Sequence, residues 1–193
     1  MLGVDAAAFG REFRATAYER FTGAYGDLAS TIRVISQRAG VNPTDDQVRE
    51  ATIVRRTLSR RLVNGAPAGT LSALAELRSA GWPIGLVSNI TSETHLQWAD
   101  SPFPPYFDTT AFSTEVGAAK PEPAIYLAAC NALGVEPADC VYIGDGNDRE
   151  LPAAAALGMY AVRTTEHADS DPTWTGPTVR SFTELPRLIG LPA

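Results

Sequence analysis

The spacing of apolar residues predicts that the first third of the chain is entirely helical. Phe9, Phe13 and Phe21 recur at the spacing of one face of an α-helix. Two further helices are predicted over 27–39 and over about 44–63, where apolar residues again recur every three to four positions. This part of the chain therefore reads as a helical module.

Glycine and small polar residues mark the predicted helix ends. Gly23 and Gly40 end the first two helices, and either Thr44 or Asn42 caps the start of the third. Farther along the chain, Gly134 is predicted at a helix C-cap, where the left-handed conformation favours glycine.

After residue 65, short apolar runs alternate with helical patterns. The predicted strands are 83–87, 109–113, 141–143 and 160–162, and the predicted helices are 67–80, 91–99, 122–133 and 150–157. Strands that alternate with helices of about ten residues are typical of βαβ units around a parallel sheet. We therefore predict two domains, a helical module over 1–65 and a Rossmann-like α/β core over 66–193.

Composition and charge exclude several classes of partner. The 193 residues carry a formal net charge of −6, and residues 1–64 hold ten arginines against seven acids, so the rest of the chain is strongly acidic. An acidic chain without a long basic stripe argues against nucleic acid as a partner. No apolar run approaches the roughly 18 residues of a membrane span, and the N-terminus lacks the pattern of a secretory signal. We expect a cytoplasmic protein without a membrane partner.

The two cysteines, Cys130 and Cys140, are too few for a disulfide framework and fall in apolar segments. They are expected to be buried thiols in a reducing compartment. His95 and His167 have no ligand spacing to either cysteine, so a zinc site is not expected.

Lys120 is the sole lysine, since the other fifteen of the sixteen basic residues are arginine. Lysine is a compact point charge and does not replace the planar fork of arginine at a tight phosphate site. Ser88 and Asp145 each follow a predicted buried strand, and ligands of doubly wound sheets lie beyond the carboxyl ends of the strands. The three residues therefore predict an anion site that combines a hydroxyl, a cation and a carboxylate of the metal-binding type.

The same segments resemble the motifs of the haloacid dehalogenase (HAD) superfamily over about residues 67–190. Val87-Ser88-Asn89 is similar to its second motif and the run from Lys120 to Tyr126 to its third. Gly144-Asp145, followed by an alanine-rich helix and Leu157-Gly158-Met159, is similar to its fourth. Most members of this superfamily are magnesium-dependent phosphatases, so the resemblance implies a HAD-like α/β core with the helical module as its cap.

The resemblance also implies roles for individual residues. Ser88 and Lys120 would be catalytic and, with Asn89, would bind the phosphoryl group of a small-molecule phosphate or another anionic substrate. Asp145 and Glu150 would be the Mg²⁺ ligands. Glu150 stands where the family has a second aspartate, and glutamate is also a competent hard-oxygen ligand.

Two further groups of charged residues have alternative interpretations. Asp148 lies two positions before Glu150 and is interpreted as a solvated loop acid. Arg55, Arg56 and the pair Arg60-Arg61 crowd the end of the third predicted helix. They form either a solvated helix face or a gate that draws anionic substrates towards the site.

The sequence departs from the family at its N-terminus, where the Asp-x-Asp-x-Thr motif with the nucleophile does not occur. In the family that motif ends a strand that lies between those carrying Ser88 and Asp145. The first core strand is therefore expected to be missing from this chain. Either the natural protein begins upstream and this chain is truncated, or the flanking strands pair directly, or another segment or a partner chain supplies the strand. We expect weak Mg²⁺ binding, little or no turnover by this chain alone, and self-association through the unfilled position.

Three functions follow from these expectations. The first is hydrolysis of phosphomonoesters, for which the full family mechanism uses an aspartyl-phosphate intermediate. The second is a non-catalytic HAD-fold protein that binds a phosphate ligand or a partner in a regulatory role. The third is dehalogenation of small acids, and the carboxylates Asp145 and Glu150 argue against it because that chemistry needs no metal.

Overall fold

The computed structural model describes residues 2–190, and their contacts define two compact units. The helical unit comprises the chain up to Gly65 together with 89–101 and 112–119, and the sheet unit comprises 66–88, 102–111 and the chain from Lys120 onward. Sequence analysis placed 89–101 and 112–119 in the α/β core. Their contacts group them with the N-terminal helices instead, a long-range association that local patterns do not encode.

The elements follow one another in the order that the apolar pattern predicts, with a short additional helix over 113–116 and short additional elements near the C-terminus. Along the chain they are α1 (Ala6–Ala15), α2 (Ala17–Phe21), α3 (Leu28–Arg38), α4 (Asp45–Asn64), α5 (Ala68–Ser79), β1 (Gly85–Ser88), α6 (Ser92–His95), β2 (Thr109–Phe112), α7 (Ser113–Val116), α8 (Pro123–Leu133), β3 (Val141–Gly144), α9 (Glu150–Ala156), β4 (Tyr160–Thr164), β5 (Thr178–Val179) and α10 (Leu185–Leu188). The alternation of strands and helices predicted for the second part of the chain is confirmed.

Two predicted helices are shorter than expected. The first breaks at Thr16, whose φ of −103° and ψ of 19° interrupt the helical backbone while its hydroxyl donates to the Glu12 carbonyl at 2.7 Å. A threonine that bonds back to the preceding turn weakens and bends a helix. The helix predicted over 91–99 is reduced to α6, followed by a 3₁₀ turn over Trp98–Asp100.

Helix ends follow the predicted chemistry. Thr44, and not Asn42, caps α4, and it does so in a reciprocal capping box with Gln47. Gly134 takes the left-handed conformation after α8, with a φ of 69°. These ends are determined by residues within one turn of each other, which explains why sequence analysis could place them.

The core of the helical unit lies between α3 and α4. Leu28 and Ile32 of α3 pack with Val48 and Ala51 of α4, and all four are buried. Burying a leucine, isoleucine or valine side chain stabilises a fold by roughly 1.5–3 kcal/mol. This contact is therefore a main source of the stability of the unit.

The strands of the sheet unit form two sheets. β3 pairs in parallel with β4 in the register Val141 to Tyr160, and β4 pairs in parallel with β5 in the register Arg163 to Thr178. β1 and β2 form a separate two-stranded sheet. Within residues 2–190, β1 and β3 are not hydrogen-bonded neighbours, so direct pairing of the strands that carry Ser88 and Asp145 does not occur.

Two smaller expectations concern membrane spans and cysteines. Within residues 2–190, every helix is too short or too polar to cross a lipid bilayer. Cys130 and Cys140 are free thiols whose Sγ atoms lie 3.9 Å apart, Cys130 buried and Cys140 partly buried. Burial and, next, the neighbouring Cys130 raise the pKa of Cys140 to about 11, so this thiol stays protonated at neutral pH.

Candidate active site

Glu150 is the centre of the site, because three donors converge on its buried carboxylate. It is the first residue of α9 and is only 2% exposed. Lys120 Nζ donates to Oε2 at 2.6 Å and Tyr142 Oη donates to the same oxygen at 2.8 Å. The backbone N–H of Gly146 donates to Oε1 at 3.1 Å. A buried carboxylate held this way is both charge-compensated and hydrogen-bonded, as burial of a charge requires.

The close approach of Glu150 to β3 depends on Gly144. A Cβ atom at this position would lie 2.1 Å from Glu150 Oε1, well inside van der Waals contact. The glycine at the end of β3 therefore leaves room for the carboxylate. This explains why a residue without a side chain is needed at position 144, which the sequence motif alone does not.

The loop between β3 and α9 holds two residues in an unusual backbone conformation. Asp148 and Arg149 have φ values of 54° and 56°, in the left-handed region that residues other than glycine, asparagine and aspartate rarely adopt. Such conformations persist where the surrounding structure imposes them, and they concentrate at functional sites. Here the turn directs the Gly146 N–H back onto Glu150.

Asp145 lies at the start of the same loop and is kept ionised by its partners. Its Oδ1 accepts from the Asn147 N–H at 3.0 Å and its Oδ2 from the Ser170 hydroxyl at 2.9 Å. Burial acts to raise the pKa of Asp145, but these two hydrogen bonds, the interaction with Glu150 and the charge of Lys120 outweigh it and lower that pKa. Asp145 is therefore a carboxylate at neutral pH.

Lys120 connects the site to the segment before α8. Its side chain is only 15% exposed, and its ammonium forms an ion pair with Glu150 at 2.6 Å. The charge of Lys120 also acts on Asp145, the first residue after β3. The structure thus brings together Lys120, Asp145 and Glu150, three of the residues that sequence analysis proposed.

Ser88 and Asn89 are the other two residues that the sequence proposed for the site. Ser88 is the last residue of β1 in the sheet unit, and Asn89 begins a segment that groups with the helical unit. Neither is part of the hydrogen bonds to Glu150 described above. Their role in phosphate binding stays a prediction.

Sequence analysis missed Tyr142, Tyr126 and Ser170. Tyr142 bonds the carboxylate of Glu150, and Tyr126 bonds its backbone carbonyl at 3.2 Å, with the two rings in an edge contact at 5.2 Å. The available signal was that a buried phenol requires a hydrogen-bond partner. Ser170 carried no such signal, because it lies in a polar loop whose path is set by tertiary contacts.

Both tyrosines remain hydrogen-bond donors over the whole physiological range. Burial, and after it the negative charge of Glu150, raises the pKa of Tyr142 and that of Tyr126 well above the ordinary value of a phenol. The Tyr142 hydroxyl therefore stays protonated and donates its hydrogen bond to Glu150 Oε2 throughout this range.

The donor set fits a magnesium ion only in part. A carboxylate has about four lone-pair positions, two on each oxygen. Glu150 Oε2 accepts hydrogen bonds from Lys120 and Tyr142. Asp145 Oδ1 accepts one from Asn147, and its Oδ2 accepts one from Ser170. No group of three or more His, Cys, Asp or Glu side chains with metal-binding geometry occurs within residues 2–190. Asp145 is thus the better metal ligand of the two.

The sequence of the chain is similar to those of known hydrolases. The family model of haloacid dehalogenase-like hydrolases matches residues 5–158. Glyceraldehyde 3-phosphate phosphatase from Methanopyrus kandleri is 28% identical over 131 residues, which are 67% of this chain and 56% of that protein. The chain therefore spans little more than half the length of this relative.

Solved structures show the same fold. L-2-haloacid dehalogenase from Xanthobacter autotrophicus has a TM-score of 0.67 at 18% identity, with 94% of this chain and 84% of that chain covered. A HAD family enzyme from Bacteroides thetaiotaomicron, an aspartate-to-alanine mutant in complex with magnesium and inorganic phosphate, has a TM-score of 0.57 at 20% identity, covering 91% and 92%. Since the family model covers most of the sequence and the fold agrees, this chain belongs to the haloacid dehalogenase-like hydrolases.

Proposed function

We propose that this hydrolase acts on phosphomonoesters of a small molecule and that Lys120, Asp145 and Glu150 form part of its phosphate-handling site. The observation that carries the proposal is the position of Lys120. The sole lysine of the chain is held by a buried carboxylate, beside a second carboxylate that is ionised at neutral pH. The phosphatase relative supports the substrate class.

Lys120 would act by placing a fixed positive charge on the phosphoryl group. An ammonium has three N–H donors, and the bond to Glu150 fixes where that charge lies. A cation positioned before the reaction stabilises charge that develops on the phosphoryl oxygens without reorganisation. Ser88 and Asn89 would add a hydroxyl and an amide donor to the same oxygens.

Glu150 would serve chiefly to position Lys120, and Asp145 to bind magnesium. When bound, Mg²⁺ would polarise a phosphoryl oxygen as a Lewis acid and offset its charge. Asp145 is proposed as the direct ligand and Glu150 as a ligand through water, which gives weak binding because two carboxylates leave most of an octahedral shell to water.

Binding of inorganic phosphate, measured by calorimetry on the full chain with and without MgCl₂, tests the proposal. We expect saturable binding that Lys120→Met weakens roughly tenfold to a hundredfold, since a hydrogen bond to a charged group is worth about 1.5–3 kcal/mol. The double variant Lys120→Met/Glu150→Gln removes both charges and guards against an unpaired buried carboxylate. Arg187→Met, on an exposed arginine of the sheet unit, is the matched control.

Two results would overturn the proposal. One is equal phosphate affinity in wild type and in the double variant. The other is loss of affinity in Arg187→Met to the same degree, which would indicate a general effect of net charge. Hydrolysis of 4-nitrophenyl phosphate by the same samples distinguishes turnover from the non-catalytic alternative, which predicts phosphate binding without product.

A further inference from the structure

The helical unit contains a cavity of about 210 Å³ that plays no part in the site around Glu150. Its walls are mainly apolar, with Phe9 and Phe13 of α1, Ile35 of α3, and Ala51 of α4 among the lining residues. A dry apolar cavity of about 150 Å³ is large enough to hold benzene. The cavity of the helical unit is therefore large enough for a small organic molecule.

Three charged side chains also line this cavity, and they are the ones that determine what it can bind. Arg20, Arg55 and Glu93 are the only titratable groups among its lining residues. Arg55 Nε donates to Glu93 Oε1 at 2.7 Å, which pairs one cation with the one carboxylate. The lining of the cavity is left with an excess of one positive charge, on Arg20.

Arg20 is an unusual arginine because it is buried and incompletely bonded. It is 7% exposed, and its guanidinium lies over the Phe13 ring with 3.7 Å between Cζ and the ring centroid. One terminal nitrogen donates to the Phe13 carbonyl at 2.9 Å. Its Nε is buried and has no hydrogen-bond partner within residues 2–190. A buried donor without a partner costs about 1–3 kcal/mol.

The charges around Arg20 act in both directions. Burial and, next, the charge of Arg55 lower the pKa of Arg20, and the opposing effects of Glu93, Tyr25 and Glu19 are smaller. An anion in the cavity would lie beside the Arg20 guanidinium, which is part of the lining, and would add negative charge there. An apolar body attached to that anion would fill the space between the phenylalanines and Ile35.

We propose that this cavity binds a small organic monocarboxylate, with its carboxylate beside the Arg20 guanidinium and its aromatic or short aliphatic body against Phe9, Phe13 and Ile35. The single excess charge favours a monoanion over a phosphate dianion, whose second charge would be buried without a partner. The apolar walls favour a carbon body over a fully polar molecule. All residues that line the cavity belong to the helical unit.

Titration of the full chain with sodium benzoate, compared with its neutral analogue benzamide, tests the proposal. Calorimetry should show saturable benzoate binding at neutral pH and at least about tenfold weaker binding of benzamide, because only benzoate compensates Arg20. Arg20→Met should reduce benzoate affinity to that of benzamide. Arg11→Met, on an exposed arginine of α1, is the matched control and should leave the affinity unchanged.

A second variant keeps the test decisive if Arg20→Met does not fold. Ala51→Leu adds volume inside the cavity and removes no polar group, so it should abolish binding of both ligands while the chain stays folded by circular dichroism. Absence of saturable benzoate binding by the wild type, equal affinity for benzamide, or undiminished binding in Ala51→Leu would each overturn the proposal.

Discussion

Each unit of the molecule buries one glutamate beside one basic side chain, and the two sites differ in how completely the charges are paired. Glu150 in the sheet unit is 2% exposed and receives Lys120, Tyr142 and the Gly146 N–H. Glu93 in the helical unit is 4% exposed and accepts a hydrogen bond from Arg55 Nε. A second arginine, Arg20, lines the same cavity, and its Nε has no hydrogen-bond partner within residues 2–190.

The difference shows that burial of a charge is not in itself a sign of ligand binding. The carboxylate of Glu150 is compensated by residues of the chain, so its burial holds Lys120 in place. The lining of the cavity beside Glu93 has one cation more than it has carboxylates, so the proposed monocarboxylate would balance the charges of the lining. A count of donors, acceptors and charges therefore separates a positioning site from a binding site.

Removal of the two glutamates should have unequal effects on stability, and this is the largest effect we expect. Glu150→Ala should lower the free energy of unfolding by about 3–5 kcal/mol, because Lys120 and Tyr142 would both lose the buried carboxylate that they bond. Glu93→Ala should cost less, about 1–3 kcal/mol, because its partner Arg55 is 31% exposed and can reach water. Urea denaturation followed by circular dichroism measures both.

A Lys120→Met change in the Glu150→Ala background is the control, and it should restore part of the lost stability by removing the ammonium that Glu150 no longer compensates. The comparison fails if Glu93→Ala is as destabilising as Glu150→Ala.

A smaller effect is expected from substitution at Gly144. Gly144→Ala should cost about 1–3 kcal/mol, the range for overpacking, because the added methyl group would displace the Glu150 carboxylate. Gly10→Ala, the same substitution in α1 with 3.5 Å to the nearest atom, should instead be stabilising by up to about 1 kcal/mol. Thermal melts of the two variants decide the matter, and equal shifts would mean that Glu150 does not need the close approach.

The smallest effect on stability should come from substitution of Asp27. This carboxylate is exposed to solvent, so it serves as a reference for the two buried glutamates. Asp27 caps α3 by accepting from the Ser30 N–H at 2.8 Å, and this backbone bond, followed by the Ser30 side chain, lowers the pKa of Asp27. Because the folded-state pKa is lowered, the stability that the carboxylate contributes is present above the unfolded value of about 3.9. It is lost as the pH falls through the folded-state pKa.

Asp27→Ala should therefore cost about 1 kcal/mol at neutral pH, and the difference from the wild type should shrink below about pH 4. Asp27→Asn keeps a capping oxygen but does not titrate, so the contribution of its side chain to stability should not change with pH. Melting temperatures between about pH 3 and pH 7 provide the measurement. A difference between Asp27→Ala and wild type that is constant with pH would contradict the role of the charge.

Local features of this protein could be predicted from its sequence. The capping residue Thr44 and the C-cap Gly134 act within one helical turn, so their residue types suffice to place them. Lys120 and Asp145 could be proposed for one site because ligands of doubly wound sheets lie beyond the carboxyl ends of the strands, and Glu150 followed from the resemblance to the HAD motifs. The alternation of strands and helices after residue 65 was likewise sufficient for the α/β fold.

The tertiary structure alone decided the contacts between residues far apart in sequence. The segments 89–101 and 112–119 group with the N-terminal helices, and Ser170 reaches Asp145 from a polar loop without regular structure. Arg20 and Glu93 line one cavity although 1–65 and 89–101 are separated by a strand and a helix. Side chains that meet in this way compensate one another's charges and form hydrogen bonds. Both interactions depend on distances in space, which residue type and spacing along the chain do not specify.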